Sequence, residues 1–426
     1  MRTIKLNKII CDGSIVKYVF SFDKSLNKYF SGKDFIIEYP ISIADIPTSI
    51  LAIPFVCNVL PIVWLTDSVL ELEELDLSFY NCISRVKQGY IDMYPNMSLG
   101  GRVIVKNITE NHYEITNRSA MFYSGGLDSV QTLISHYKEN PLLLSVWGSD
   151  IHFDNTDGWN KVHRTIIETS KLFDLQELVI HSTFREFDNE YALDYDYNTS
   201  MGDGYWHGIK HSLALIGHVA PIAYVFKINC MYFASTFCKN DKNPKCASLP
   251  STDNNIAFCS CKVYHDGFEF SRQDKIHNLI RFCNSTQKKI NLHVCWQSFT
   301  GNNCCCCEKC YRTMLGIWVE NANPQDYGFV NSENAFKNYK NCFIDYYKEK
   351  HLTTFLRDIQ NVGTRNINIL RTQPEYKQLK WFFKVDFSDL DNVQLPIECK
   401  IQLLKRKTYT QLKRIKRLLK IHTINN

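Results

Sequence analysis

Apolar positions in residues 1 to about 115 come in short runs separated by charge. Phe35 to Glu38 and Val103 to Val105 predict strands, and Leu70 to Gln88 predicts a helix. The longest apolar stretch, Ser49 to Leu65, is interrupted by Pro54, Asn58 and Pro61, and reads as buried strand and loop, not as a membrane span. From Ser119 the pattern changes. Ala120 to Tyr123 is strand-like, a glycine turn follows, and then Val130, Leu133, Ile134 and Tyr137 recur at helical spacing. Leu142 to Trp147 predicts a second strand, ending in Gly148-Ser149-Asp150. Lys161 to Phe173 predicts a helix, Glu177 to Ile180 a strand, and His207 to Val225 another helix. Asn240 to Asp253 is a polar loop, and from Leu352 onward the pattern is charged and helical. Strands alternating with helices predict an α/β fold, a doubly wound parallel sheet with helices on both faces. Three regions are expected: an N-terminal α+β accessory domain over 1–115, the alternating domain over 116–325, and a helical C-terminal extension over 326–426.

Composition narrows the class. The chain has 426 residues, 45% hydrophobic and 22% charged, which suits a globular protein of two or three domains. The formal charge of +5 is uneven: from Lys400 onward there are nine Lys or Arg and no Asp or Glu, so the body is slightly acidic. A basic tail is a local feature. There Leu412, Ile415 and Leu419 oppose Lys413, Arg414, Lys416, Arg417 and Lys420, so nucleic acid or an anionic membrane is a partner only through this segment. The 17 cysteines, with Cys304 to Cys307 consecutive, make a poor disulfide framework and point to a reducing compartment. No basic-then-apolar signal opens the chain, and a cytoplasmic location is expected.

The strongest local chemistry is Ser124-Gly125-Gly126-Leu127-Asp128-Ser129, between a strand and a helix. Glycines let the backbone turn tightly and approach a ligand. Free N–H groups at the helix start favour an anion, Ser124 and Ser129 add hydroxyls, and Asp128 either offers an oxygen to Mg²⁺ or orients the loop. The lysine of a Walker loop is absent, and Gly202-Asp203-Gly204 fails as a dinucleotide fingerprint. Chance occurrence of the pattern in a chain this long is roughly 10⁻³. The plainer alternative is a capped helix after a tight turn, with Ser124 and Asp128 serving only as caps.

SGGLDS resembles the PP-loop of the ATP pyrophosphatase superfamily. That resemblance implies an adenine-nucleotide hydrolase-like sheet, and cleavage of ATP between its α- and β-phosphates. The loop, Ser124 to Ser129, would hold the departing pyrophosphate while a substrate oxygen takes the adenylate. A backbone cradle with Mg²⁺ would then do without the Walker lysine.

Cys295, Cys304, Cys307 and Cys310 form a second constellation, three of them at knuckle spacing. Four thiolates close a tetrahedral Zn²⁺ site of structural type; an iron–sulfur cluster and a metal-free loop are the alternatives. Cys305 and Cys306 leave the register open. The spacing resembles the zinc site of the 7-cyano-7-deazaguanine synthase family, as do Val294-Cys295-Trp296, Lys309-Cys310-Tyr311-Arg312 and Ser271-Arg272-Gln273-Asp274-Lys275-Ile276. The similarity spans about 119 to 320.

The resemblance implies an ATP-dependent C–N ligase taking a small-molecule carboxylate, such as a 7-carboxy-7-deazaguanine-like acid, with ammonia or another amine. A related ligase for a protein or sugar acid, in a defence or surface-polysaccharide system, and a nucleotide-binding scaffold docking a protein partner are the other readings. By this resemblance Asp128 and Arg272 are catalytic candidates, Arg272 as a cationic stabiliser. Trp147, with Gly148 and Asp150, is expected near adenine or the substrate, at a strand end where ligands gather. Asp150, Asp154, Ser248 and Asp253 are substrate candidates. His207, His211 and His218 provide too few ligands for a metal and read as packing or surface residues. Cys57, Cys82 and Cys230 read as core.

Overall fold

The computed structural model describes residues 2–201, 204–295, 301–330, 332–347, 350–390 and 392–405. Gly202, Asp203, Trp296 and the amphipathic basic stripe beyond 405 lie outside these described residues. Two compact units are present, Met1–Phe282 with Thr286–Asn302, and Cys283–Ser285 with Asn303–Asn426.

The first unit is built on one 11-stranded sheet. Its strands are β1 (Arg2–Asp12), β2 (Ile15–Phe22), β3 (Phe35–Glu38), β4 (Ser68–Asp76), β5 (Arg102–Thr109), β6 (Arg118–Phe122), β7 (Leu142–Trp147), β8 (Glu177–Ser182), β9 (Ile228–Ala234), β10 (Ala257–Phe258) and β11 (Cys261–Asp266). Their order is β10-β11-β9-β6-β7-β8-β3-β2-β1-β4-β5. Neighbours from β11 through β9, β6 and β7 to β8 are all parallel. Counted along the chain this segment runs 3-2-1-4-5 from β8 to β11, so the winding reverses between β6 and β9, where open α/β sheets bind ligands. Leu142, Leu143 and Leu144 are all buried, as expected of a strand covered on both faces.

Residues 1–115, expected as an accessory domain, extend this same sheet: β3 pairs antiparallel with β8, and β2, β1, β4 and β5 follow. The compact unit accordingly runs past residue 115 without a break. Two predicted elements differ in type. Ser49 to Leu65 is helical and not strand and loop, in the helices Thr48–Leu51 and Ile53–Thr66. Pro54 sits in the first turn, where its missing N–H costs nothing, and the Asn58 amide donates to the Pro54 carbonyl at 2.8 Å. Leu70 to Asp76 is strand, because Leu70 and Leu72 are buried while Glu71 and Glu73 are more exposed, a period of two. Asp76 then ends the strand and caps the helix Leu77–Met93, accepting from Phe79 N at 3.0 Å.

Thr48–Thr66 and Trp206–Phe226 are long and apolar enough to cross a bilayer, but 94% and 78% of their apolar windows are buried inside the protein. They pack on each other: a Cβ at Gly217 would lie 2.6 Å from Cys57 Cβ, so only glycine permits this approach. Cys57 and Cys82 are buried in the core, as expected, and Cys230 is half-buried.

The second unit is helical, with Glu308–Val319, Ser332–Tyr346 and Lys350–Arg365 as its longer helices. An aromatic cluster of Tyr339, Phe343, Trp381 and Phe382 forms its core, with Phe343 and Trp381 centroids 5.0 Å apart.

Candidate functional site

The loop Ser124–Ser129 leaves the carboxyl end of β6 and opens the helix Leu127–His136 at the winding reversal. Gly125 has φ +74, a left-handed conformation that a Cβ disfavours, and its carbonyl accepts from His293 N at 2.7 Å. Ser124 Oγ accepts from Gly126 N at 3.3 Å and lies 3.4 Å from Ser129 Oγ, while Ser129 Oγ donates to the Gly126 carbonyl at 3.0 Å. Gly126 is the N-cap and has no side chain to cap the helix, while the Ser124 hydroxyl accepts from the N-cap amide. Ser124 is exposed, whereas Leu127 and Ser129 are buried.

Asp128 faces two cations from the helix Arg272–Thr286. Lys275 Nζ donates to Asp128 Oδ1 at 2.8 Å, and Arg272 Nη1 lies 3.7 Å from Asp128 Oδ2. The Lys275 side chain is 1% exposed and also donates to the Ser235 carbonyl at the end of β9. A cation therefore stands beside the loop after all, carried by a helix 147 residues further along the chain. Sequence reasoning singled out Arg272 but left Lys275 without a role. A signal was present: Lys275 and Leu279 are one turn apart on the buried face with Ile276 and Ile280, where an unpaired ammonium would not be tolerated.

Below Lys275 a buried polar network ties the ends of β9 and β11 together. His265 joins Asp253 (Nδ1 to Oδ2, 2.8 Å) to Ser235 (Nε2 to Oγ, 2.7 Å), and Ser248 Oγ donates to Asp253 Oδ2 at 2.6 Å. Hydroxyl, imidazole and carboxylate are aligned as in a nucleophilic triad. Ser235 is fully buried, however, and its hydroxyl donates to the Phe237 carbonyl at 2.7 Å, so the network braces the strand ends. Ser248 and Asp253, expected as substrate residues, are bonded to each other and buried.

The remaining candidates lie after β7. Trp147 stacks with Phe153 and Trp159, at centroid distances of 5.2 and 5.4 Å, in an aromatic run that His163 extends beyond Trp159. Asp150 and Asp154 are exposed. His218 is a packed histidine, bonded to Ser182 Oγ at 2.8 Å and the Ala214 carbonyl at 2.7 Å; burial pushes its pKa down to about 4. At the far end of the Leu127–His136 helix, His136 is 2.9 Å from Asp266 and 2.7 Å from Glu139. Burial opposes the His136 proton, but the two carboxylates outweigh it and raise the pKa to about 9.

Three of the four cysteines of the candidate metal centre, Cys304, Cys307 and Cys310, come from one short stretch. One ligand sulfur from each of Cys295, Cys304, Cys307 and Cys310 lies within 4.8 Å of the others. Cys304 and Cys310 sulfurs are 3.9 Å apart, close to the roughly 3.8 Å edge of a tetrahedron with Zn–S bonds of about 2.3 Å. Cys305 takes a left-handed φ of +54, which lets the Cys306 and Cys307 amides approach Cys304 Sγ at 3.5 and 3.3 Å. Such N–H···S contacts favour the thiolate a metal requires. Cys305 turns to the Asn303 carbonyl and Cys306 is exposed, which resolves the register. The donor set fits zinc.

No protein-family model, curated protein or solved structure matches this chain.

Proposed function

We propose that this protein is an ATP-dependent adenylating enzyme that cleaves ATP to AMP and pyrophosphate and uses the adenylate to form a C–N bond, similar to PP-loop enzymes of the 7-cyano-7-deazaguanine synthase type. The observation that carries this reading is the small-residue loop Ser124–Ser129 at the carboxyl end of β6, beside the winding reversal, with Lys275 and Arg272 drawn to its Asp128. Backbone N–H groups and two hydroxyls suit a polyphosphate, and the buried ammonium and guanidinium supply positive charge where pyrophosphate would separate.

Asp128 is the loop's single carboxylate. It holds Lys275 in place and is the loop oxygen that magnesium accompanying the nucleotide would meet. The chain's own residues bind and orient: Gly125 shapes the turn, Ser124 presents an exposed hydroxyl, and Lys275 links the loop to β9 through the Ser235 carbonyl. A substrate carboxylate oxygen attacks the α-phosphorus, the bond to the bridging oxygen breaks, and pyrophosphate leaves with the electron pair. Zinc at the four cysteines would be structural, since four thiolates leave no open position.

The test is incubation of the full chain with Mg-ATP, 7-carboxy-7-deazaguanine or a panel of small carboxylic acids, and ammonium. AMP and pyrophosphate are expected. ADP and inorganic phosphate, or no turnover with any acid, would overturn the reading.

A further inference from the structure

The cysteine cluster and the glycine loop are joined by one short stretch of chain. Residues 289–295 carry Ile290, Leu292 and Val294 buried, with Lys289 and Asn291 between them exposed, the period of two of an extended segment. This segment lies outside the sheet and follows the helix Thr156–Phe173. Just before it, the Lys288 ammonium donates to the Leu172 carbonyl in the last turn of that helix. Beyond it, Gly301 stands so close to the first turn that a Cβ would lie 2.6 Å from the Gly158 carbonyl. Between these two anchors the segment passes over the glycine loop. His293 N donates to the Gly125 carbonyl at 2.7 Å, and a Cβ on Gly125 would stand 3.4 Å from His293 Cβ and 4.0 Å from Thr165 Cγ2 of the same helix.

The bond from His293 decides which way one peptide faces. Gly125, at φ +74, and Gly126 follow one another, so the peptide between them lacks the Cβ clashes that fix such a direction elsewhere. In a planar trans peptide the carbonyl and the N–H point to opposite sides. With the Gly125 carbonyl on His293, the Gly126 N–H turns across the loop toward Ser124 Oγ, at a long 3.3 Å. That amide is one of the donors the loop offers an anion at the start of its helix. Were the peptide to turn over, a carbonyl oxygen would face the anion in its place. Two residues after His293 comes Cys295, buried, with its sulfur within 4.8 Å of those of Cys304, Cys307 and Cys310. Two extended residues span at most about 7 Å, so Cys295 and His293 cannot shift independently.

We propose that His293 is a positioning residue through which the metal centre sets the phosphate loop. Its backbone N–H holds the Gly125–Gly126 peptide toward an anion, and Cys295 keeps that N–H in place when zinc is bound. The bearing of this link on catalysis rests on the adenylating reading above; the link itself does not. Coupling of this kind is reciprocal, so loosening the bond to Gly125 must also loosen the hold on the metal.

The experiment uses the full chain with zinc bound. His293→Pro removes the N–H, whereas His293→Gln changes the side chain and keeps it. In His293→Pro, competition against a chelating dye should show zinc held about fivefold less tightly than in the wild type, the worth of one backbone hydrogen bond. Hydrogen exchange read by mass spectrometry should run about fivefold faster in peptides over 122–130 and stay unchanged in β7, and calorimetry should find magnesium pyrophosphate bound about fivefold more weakly. His293→Gln should match the wild type in all three. If His293→Pro fails to fold, withdrawal of zinc from the wild type by chelator should speed exchange in the loop while β7 stays protected. Unchanged zinc affinity and loop exchange in His293→Pro, equal damage in His293→Gln, or a loop that ignores zinc withdrawal would overturn the proposal. Failure of the zinc-bound wild type to form AMP would count against the adenylating reading and leave these results standing, so the two are separable.

Discussion

The cysteine cluster and the glycine loop are assembled in opposite ways. Three cluster cysteines fall within seven consecutive residues, and their geometry follows from one left-handed residue and a helix start. The loop has local geometry of the same kind, but its charge is imported: Lys275 and Arg272 reach Asp128 from a distant helix, and the β9–β11 network supports them from below. A locally built site depends on a bound ion for its energy. A site built over long range depends on the fold, and the fold in turn depends on keeping its buried charge paired.

The sharpest way to break this comparison is to remove the metal. Elemental analysis should find about one zinc per chain in the wild type and almost none in Cys310→Ser, with melting lowered by more than about 10 °C in that variant or in chelator. Unchanged melting and no zinc would reduce the cluster to a cysteine-rich loop.

Next in size are the loop charges. Lys275→Met should reduce AMP formation about a hundredfold or more. Asp128→Asn should cost about 2 kcal/mol in urea unfolding, because it strands a buried ammonium. The double variant should recover part of that stability and none of the activity, since both partners of the pair are then uncharged. Equal stability in all four proteins would mean that the pair is not what holds the helix to the loop.

A third test asks whether long-range charge pairing stabilises the same helix at its far end. The His136 pKa is raised to about 9 in the folded protein, against roughly 6.5 unfolded. Its contribution is complete below about pH 6.5 and is lost as pH rises through about 9, an amplitude of about 3 kcal/mol that solvent screening of this half-buried group reduces to about 2 kcal/mol. Urea midpoints should fall across that window in the wild type and stay flatter in His136→Gln. The smallest effect belongs to the loop backbone: Gly125→Ala, with φ at +74 and a Cβ 3.4 Å from His293 Cβ, should cost about 1 kcal/mol while moderately weakening nucleotide binding in calorimetry.

Legibility in the sequence follows the same division. Alternation and helical spacing located β6, the loop, its helix, β7 and β8, because those signals act over a few residues. Ser49 to Leu65 was harder: prolines and an asparagine read as interruptions, yet the first turn tolerates Pro54 and the Asn58 amide finds the carbonyl one turn back. Leu70 to Asp76 belongs to the sheet because pairing with β1 and β5 favours its period of two.

By itself the sequence determined the turn chemistry of Ser124 to Ser129 and the spacing of Cys304, Cys307 and Cys310, both set by backbone geometry within a single turn. Only the tertiary structure decided that residues 1–115 extend the same sheet, that Cys305 and Cys306 stand aside, and that Lys275 is the cation beside the loop. Strand pairing, cysteine register and charge pairing are settled by which distant surfaces meet and by the cost of burying a group unpaired, and neither is written in the spacing of neighbouring residues.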